Sequence, residues 1–284
     1  MTYYCSRILY QYQLEDLNNQ KKEWEYTVRL FDSIKKKFQF KFKDRENAAN
    51  ILAAALEDFL EKEVRGRERE RKREGERKNI LIVVLGSPRG GVIIADIVAK
   101  KLKASDFDIV LPRKLRLPHN EEAAFGAIME DGTVYLDDSL VKDLDISAEY
   151  IEKEKNLQLQ EIERRKSLYR NTSKQQKERQ LQNKIDDNKT IVVILTDDGA
   201  ASGATVIAAA RSIRKSFSPN NKLIIGLPVA PKETVELLRK EAAVDHVEVV
   251  TAPSFFNSVG QFYQNFQPVS DEQVVEIMKK WNLL

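Results

Sequence analysis

Residues 191–205 read IVVILTDDGAASGAT, and this stretch decides the fold. A continuous apolar run, 191–195, is followed by Thr196, by two adjacent carboxylates and by a loop of small residues that leads into a helix-forming segment. Continuous runs of β-branched residues are typical of strands that are buried on both faces of a parallel sheet. Because ligands of such sheets bind beyond the carboxyl ends of the strands, we expect residues 196–205 to form a binding loop.

Four further apolar runs resemble this one, and helix-forming stretches separate most of them. The runs are 80–86, 108–112, 223–229 and 247–250, and the predicted helices are 92–102, 204–216 and 234–243. Alternating strands and helices predict an α/β fold, with a parallel sheet flanked by helices and joined by right-handed crossovers. Asp44 is a predicted N-cap for a further helix over 48–60.

An insertion between the second and third runs predicts a small hood. Residues 125–136 are expected to form a hairpin around Asp131-Gly132, because an Asp-Gly pair suits a tight turn between strands. The hood is predicted over 113–137, and the aromatic segment 253–266 is a further candidate for it.

A second insertion, 147–182, predicts one long helix that is capped by Ser147. Its apolar stripe is thin, which indicates packing on the body of the protein or on a partner subunit, and we expect a homo-oligomer. Residues 1–43 are predicted to be an N-terminal extension, and 44–284 to be the main domain.

Composition restricts the class of protein. The 47 basic and 44 acidic residues give a net charge of +3, too small to indicate a nucleic-acid binder. The run 61–78 carries nine basic and six acidic residues, so the mixed signs favour a solvated helix extension over a nucleic-acid patch. No apolar run reaches the ~18 residues of a membrane span, and the first residues lack the apolar segment of a signal peptide. With one cysteine, Cys5, we expect a soluble, cytoplasmic protein.

The two carboxylates, Asp197 and Asp198, restrict the kind of phosphate-containing ligand that this loop could bind. A P-loop would end in Gly-Lys-Ser/Thr and a dinucleotide fingerprint would read G-x-G-x-x-G, and neither pattern follows the predicted strands. Adjacent carboxylates would repel a bare polyphosphate, but they can accept hydrogen bonds from sugar hydroxyls. The small residues that follow let backbone N–H groups approach a phosphate, with the hydroxyls of Ser202 and Thr205 beside them. The ligand is therefore predicted to be a phosphorylated ribose.

A second strand-to-helix turn, 86–91, reads GSPRGG and follows the first apolar run. A glycine-rich turn with an arginine predicts a second anion site, built on Arg89, Gly90 and Gly91. The loops after Leu85, Leu111 and Leu195 should converge on one pocket, because all three follow parallel strands at the same sheet edge.

A third segment, 113–122, begins at another strand end and is rich in cations. Arg113, Lys114 and Arg116 could neutralise an anionic leaving group. His119 could act as an acid–base group, although a lone histidine in a loop is more often incidental.

Residues 197–205 resemble the motif that binds 5-phosphoribosyl 1-pyrophosphate (PRPP) in type I phosphoribosyltransferases. Several further segments occur in the same order as in a bacterial and archaeal group of that family, and the resemblance covers about residues 44–284. It implies that the paired acids bind the ribose 2- and 3-hydroxyls, that the next loop holds the 5-phosphate and that 86–91 holds the pyrophosphate. The residues that it places against PRPP are Arg89, Gly90, Gly91, Asp197, Asp198, Gly199, Ala200, Ala201, Ser202, Gly203, Ala204 and Thr205.

The resemblance also implies an activity, the transfer of phosphoribose from PRPP to a small-molecule acceptor with release of pyrophosphate. Catalysis would depend on Lys114, Arg89, Asp197 and Asp198, with Mg²⁺ bound mainly by the diphosphate and ribose oxygens and only indirectly by the two acids. Ala201 stands where enzymes for 6-oxopurines carry an aspartate, which weakens a 6-oxopurine acceptor and leaves adenine-like, pyrimidine or non-base acceptors open. The alternative is a non-catalytic protein that binds PRPP or a nucleotide and regulates a partner.

Overall fold

The computed structural model of the protein describes residues 41–65, 79–118, 120–170, 189–217 and 221–284. Within these ranges, the chain from Phe42 onward forms one compact unit, Phe42–Leu284. Most of the predicted extension 1–43, most of the charged run 61–78 and His119 lie outside the described residues. The predicted domain boundary after residue 43 stays a prediction.

The strands of the described residues build two sheets. They are β1 (Asn79–Gly86), β2 (Asp106–Ile109), β3 (Arg113–Leu117), β4 (Asn120–Ile128), β5 (Val134–Leu136), β6 (Lys189–Thr196), β7 (Lys222–Val229) and β8 (His246–Thr251). The larger sheet has the order β2-β1-β6-β7-β8 and is parallel throughout, and the smaller sheet, β3-β4-β5, is antiparallel.

Helices cover the larger sheet and connect its strands. They are α1 (Arg45–Phe59), α2 (Gly90–Lys101), α3 (Asp138–Asp143), α4 (Ala148–Tyr169), α5 (Ala204–Ser216), α6 (Lys232–Lys240) and α7 (Asp271–Lys280). A π-helical turn, Leu60–Arg65, follows α1, and a 3-10 turn, Val259–Phe262, precedes α7. The prediction of a parallel α/β sheet flanked by helices is confirmed.

Strand β1 shows why the apolar runs are continuous. Ile82 and Val84 point into the core layer that contains α1 and α2, whereas Val83 and Leu85 point into the layer that contains α5 and α6. Both faces of the strand are therefore buried, which removes the alternation of polar residues that a half-exposed strand would show.

The helix caps follow from local sequence. Asp44 accepts a hydrogen bond from the backbone N–H of Asn47 at 2.8 Å, and Ser147 accepts one from Tyr150 at 3.2 Å, as predicted for α1 and α4. Helix α7 was not predicted, although Ser270 and Gln273 form a capping box at its start.

The predicted length of the long helix is wrong. Helix α4 ends at Tyr169, because the backbone of Arg170 is extended, and the rest of the predicted span to 182 lies outside the described residues. The guanidinium of Arg170 donates to Glu130 at 2.7 Å and to the carbonyl of Ile109 at 2.7 Å, so this residue ties the end of the helix to the body.

The predicted hood is the smaller sheet, and it contains one strand more than the sequence predicted. Residues Arg113–Leu117 form β3, which pairs with β4, instead of the loop that was expected there. Helix α4 packs on this strand through buried polar side chains: Arg113 donates to Gln158 at 3.0 Å, and the backbone N–H of Arg116 donates to Glu154 at 3.1 Å. The long helix thus packs on the body of the protein.

The segment before α1 pairs with the aromatic segment near the C-terminus. Phe42 is fully buried and forms a parallel bridge with Tyr263, with backbone hydrogen bonds of 2.8 Å to Phe262 and to Gln264. We call residues 42–45 together with 262–267 the clasp, because they connect the two ends of the compact unit. In the part of the chain that the structure describes, no helix is long and apolar enough to cross a membrane.

Candidate functional site

The strand ends of β1 and β6 bring the two predicted loops together. Gly86 and Thr196 are paired in register at the ends of these neighbouring strands, and the backbone N–H of Ser87 donates to the Thr196 carbonyl at 3.1 Å. The predicted convergence of the two loops is confirmed.

Gly90 and Gly91 touch the two carboxylates so closely that a larger residue would not fit. A Cβ on Gly90 would lie 1.9 Å from Asp198 Oδ2, and a Cβ on Gly91 would lie 2.7 Å from Asp197 Oδ1. The first turn of α2 therefore packs directly on the acids. This contact explains why glycine occupies both positions.

Burial is the main influence on the pKa of both acids. Burial raises the pKa of Asp197 well above its ordinary value, and the neighbouring Asp198 carboxylate raises it further, while a hydrogen bond with Ser87 and the positive charge of Lys114 oppose this. Burial also raises the pKa of Asp198, and there the main opposing influence is the guanidinium of Arg45. The pair is thus held in an environment that resists two negative charges.

Arg45 is a residue of the site that the sequence analysis did not find. Its Nε donates to Asp198 Oδ2 at 2.8 Å, and its Nη1 donates to the carbonyl of Gln267 at 2.8 Å. Its Cζ lies 3.9 Å from the ring centroid of Phe266, and Tyr263 Oη donates to the Asp198 carbonyl at 2.6 Å. The clasp therefore surrounds the second acid.

The loop 199–205 has the geometry of an anion site. Gly203 has a φ of 77°, a left-handed conformation that favours glycine, and helix α5 begins at the next residue. Ala200 donates its N–H to the Val229 carbonyl at 3.0 Å, and Thr234 donates its hydroxyl to the Ala201 carbonyl. Within the described residues, the N–H groups of 201–203 have no protein acceptor, so they are available to a ligand together with the N-terminus of α5.

The segment after β2 also reaches the acids. Pro112 lines a recess together with Ser87, Asp197 and Thr205, so the ends of β1 and β6 and the segment after β2 meet at one place. Lys114, on β3, is exposed, and its charge acts on Asp197.

The other predicted cations point elsewhere. The Arg89 guanidinium lies 3.6 Å from Asp271 at the start of α7, and the Arg89 side chain is 43% exposed. Arg113 faces α4, where burial and the charge of Arg165 lower its pKa to about 10. The structure thus brings together the backbone of the glycine-rich turn, both acids and Lys114, but holds the side chain of Arg89 beside a different carboxylate.

The described residues contain no group of three side chains of the types that usually hold a metal ion. The two acids of the site can contribute carboxylate oxygens, which are ligands that Mg²⁺ accepts, but they do not form a cage. Oxygen ligands of this kind are those that Mg²⁺ prefers.

Comparisons with known proteins point to one family, although no protein-family model matches the chain. Two proteins of Mycobacterium tuberculosis are each 36% identical to this chain over 200 residues. They are "Putative phosphoribosyl transferase MT0597" of strain CDC 1551 / Oshkosh and "Putative phosphoribosyl transferase Rv0571c" of strain ATCC 25618 / H37Rv. That match covers 70% of this chain, and the chain spans 42% of the length of these relatives.

A solved structure extends the likeness over more of the chain. The protein TT1426 from Thermus thermophilus is 31% identical to this chain, with a TM-score of 0.57, and the match covers 85% of this chain and 99% of that one. Together with the parallel sheet and the loop geometry described above, these relatives show that the chain belongs to the phosphoribosyltransferase-like family.

Proposed function

We propose that the chain binds PRPP at the ends of β1 and β6 and transfers its phosphoribose to a small-molecule acceptor, with release of pyrophosphate. The observation that carries this proposal is the contact between the two loops, in which Gly90 and Gly91 pack on Asp198 and Asp197. A sugar held by the two acids would lie between an anion site at 201–205 and a second one at the start of α2.

The proposed roles follow from the chemistry of the groups. Asp197 and Asp198 accept hydrogen bonds from ribose hydroxyls, and they do so best as carboxylates. The free N–H groups of 201–203 and the start of α5 bind the 5-phosphate. The start of α2 and the exposed Lys114 meet the diphosphate, and the proposal does not depend on the side chain of Arg89, which lies at Asp271.

Breaking the bond at the anomeric carbon leaves positive charge on the sugar and negative charge on the pyrophosphate. Orientation of the ribose and stabilisation of the leaving anion are therefore the two tasks of the protein. Lys114 is the cation proposed for the second task, because its charge lies near Asp197 and its side chain is exposed. Mg²⁺ would supply further neutralisation of the diphosphate when bound.

The experiment has a binding arm and a turnover arm. Isothermal titration calorimetry with ribose 5-phosphate, and with PRPP and Mg²⁺, should give dissociation constants between about 1 μM and 1 mM. Pyrophosphate release is then followed across adenine-like, pyrimidine and non-base acceptors. Release with at least one acceptor supports the enzyme. Binding of PRPP without release from any acceptor favours a regulatory protein, and absence of binding contradicts the site itself.

A further inference from the structure

Arg45 occupies a position where its charge is locally unfavourable. It is the first residue of α1, directly after the N-cap Asp44, where the helix dipole disfavours a cation. Yet its side chain is only 11% exposed, and it reaches a carboxylate that is distant by 153 residues along the chain. A cation at the start of a helix is unfavourable there, and this one is held in place by contacts with distant residues. This combination indicates a role at the site.

The contacts of Arg45 leave it little freedom. Asp198, the Gln267 carbonyl and the face of Phe266 hold its guanidinium on three sides. Gly90 closes a fourth side, since a Cβ there would lie 2.8 Å from Arg45 Nε. The Arg45–Asp198 ion pair is therefore fixed in place, with the carboxylate itself only 15% exposed.

Only one oxygen of the Asp198 carboxylate is used by this ion pair. Arg45 takes Oδ2, and Oδ1 is the second acceptor of the same carboxylate. We propose that Arg45 is a positioning residue for the ribose, which holds the Asp198 carboxylate in the orientation in which Oδ1 accepts a hydrogen bond from a sugar hydroxyl. This inference rests on the proposed function, because it assigns Arg45 to the same ribose site.

The surroundings of Asp198 show why a cation is needed there. On its own loop, hydrogen bonds with its own backbone N–H and with the side chain of Asp197 also lower its pKa. From the C-terminal segment, Tyr263 donates a hydrogen bond to its backbone carbonyl, and the first turn of α2 presents the uncharged Gly90. Lys114, from β3, acts on Asp197. Arg45 is thus a cation that acts directly on Asp198.

The test is the rescue of binding by a conservative variant. Ribose 5-phosphate is titrated into the full chain and into Arg45→Met, Arg45→Lys and Arg211→Met at about pH 8, where the phosphate is mostly doubly charged. The ratio of the dissociation constants of variant and wild type gives the loss of affinity, and thermal unfolding gives the loss of stability of the same variants. Arg211→Met is the matched control, since Arg211 pairs with Glu241 at 2.9 Å and lies over the ring of Tyr135 in the hood.

The expected result has a signature that a merely structural role would not produce. For Arg45→Met the ratio should be about tenfold or more, equivalent to at least ~1.4 kcal/mol. Arg45→Lys, which keeps the positive charge, should restore most of the affinity even where the two variants unfold at similar temperatures, and Arg211→Met should bind like wild type. A ratio near one for Arg45→Met, or an Arg45→Lys variant that binds as weakly as Arg45→Met, overturns the inference.

Two safeguards keep the outcomes distinct. If Arg45→Met does not fold, Phe266→Leu removes the ring under the guanidinium, and it should show a smaller rise in the dissociation constant. Wild-type affinity in that variant overturns the inference in the same way. If wild type fails to bind ribose 5-phosphate, the proposed function fails, whereas normal wild-type binding with an Arg45→Met ratio near one rejects only the role of Arg45.

Discussion

Substitution of Gly90 by alanine tests the contact between the two loops. The added Cβ would lie 1.9 Å from Asp198 Oδ2, whereas ordinary contact begins near 3.4 Å. The carboxylate must therefore move by about 1.5 Å, and Arg45 Nε, 2.8 Å from the same Cβ, must move as well, so the ion pair between them is disturbed. The group that moves is the end of a side chain, so we expect the backbone to remain in place.

The effect on ligand affinity should exceed the effect on stability. Overpacking of this kind costs about 1–3 kcal/mol, or a decrease in Tm of roughly 2–12 °C for a unit of this size. The displaced carboxylate loses a hydrogen bond of a charged group to ribose, worth about 1.5–3 kcal/mol, so the Kd for ribose 5-phosphate should rise about tenfold to a hundredfold. Thermal unfolding and calorimetry measure the two effects separately.

Gly132→Ala is the matched control for this comparison. Gly132 has a φ of 79°, and a Cβ added there would have no neighbour within 4 Å, so alanine at this position is strained without touching the site. The strain should cost about 1–2 kcal/mol and leave the Kd unchanged. Wild-type affinity in Gly90→Ala would refute the reasoning. An equal loss of affinity in Gly132→Ala would also refute it, because the loss would then follow from reduced stability alone.

Three further substitutions follow from the same geometry. Asp197→Asn should weaken ribose 5-phosphate binding but raise the free energy of unfolding at neutral pH by about 0.5–2 kcal/mol. Because the pKa of Asp197 is raised in the folded state, the folded wild type binds more protons than the unfolded chain and loses stability as pH rises through that pKa. The extra stability of the variant, measured by urea unfolding, should therefore vanish at acid pH. Asp198→Asn should weaken binding of the same ligand in calorimetry, since an amide is a poorer acceptor than a carboxylate, and unchanged affinity would count against the ribose site. Lys114→Ala should lower the rate of pyrophosphate release by about tenfold to a thousandfold and weaken PRPP binding less, and a silent variant would show that the leaving anion is stabilised elsewhere.

The parts of the fold that sequence predicted are those with a local physical cause. The apolar runs became strands because burial on both faces leaves no room for polar residues, and Asp44 and Ser147 became caps because their side chains satisfy N–H groups three residues later. The convergence of the loops after β1 and β6 followed from a general property of parallel sheets and needed no knowledge of side chains.

Two elements that were not predicted, β3 and α7, have recognisable patterns in the sequence. Arg113–Leu117 reads RKLRL, in which apolar and charged residues alternate, the pattern of a half-buried strand, and it forms β3. Ser270 and Gln273 have the spacing of a capping box, which marks the start of α7.

The placement of the arginines had no such signal. Arg45 is one charged residue in a polar stretch, and its partner Asp198 lies on another element, 153 residues away. Arg89 follows the predicted pattern of an anion-binding turn, but its guanidinium lies at Asp271, which also accepts a hydrogen bond from Tyr169 at 2.5 Å. Long side chains can reach several partners, so their direction depends on tertiary packing.

The loop 197–205 is therefore a sufficient signal for the family but not for a working ribose site. Two adjacent carboxylates that burial pushes toward protonation are poor acceptors for sugar hydroxyls, and the loop itself contains no cation to oppose this. The charge of Lys114, in the hood, lowers the pKa of Asp197, and Arg45, in the clasp, lowers the pKa of Asp198, so cations from two separate parts of the chain oppose the effect of burial. At the proposed ribose site, substitutions in the hood and in the clasp should therefore change ligand affinity through different acids, and their effects should differ in pH dependence.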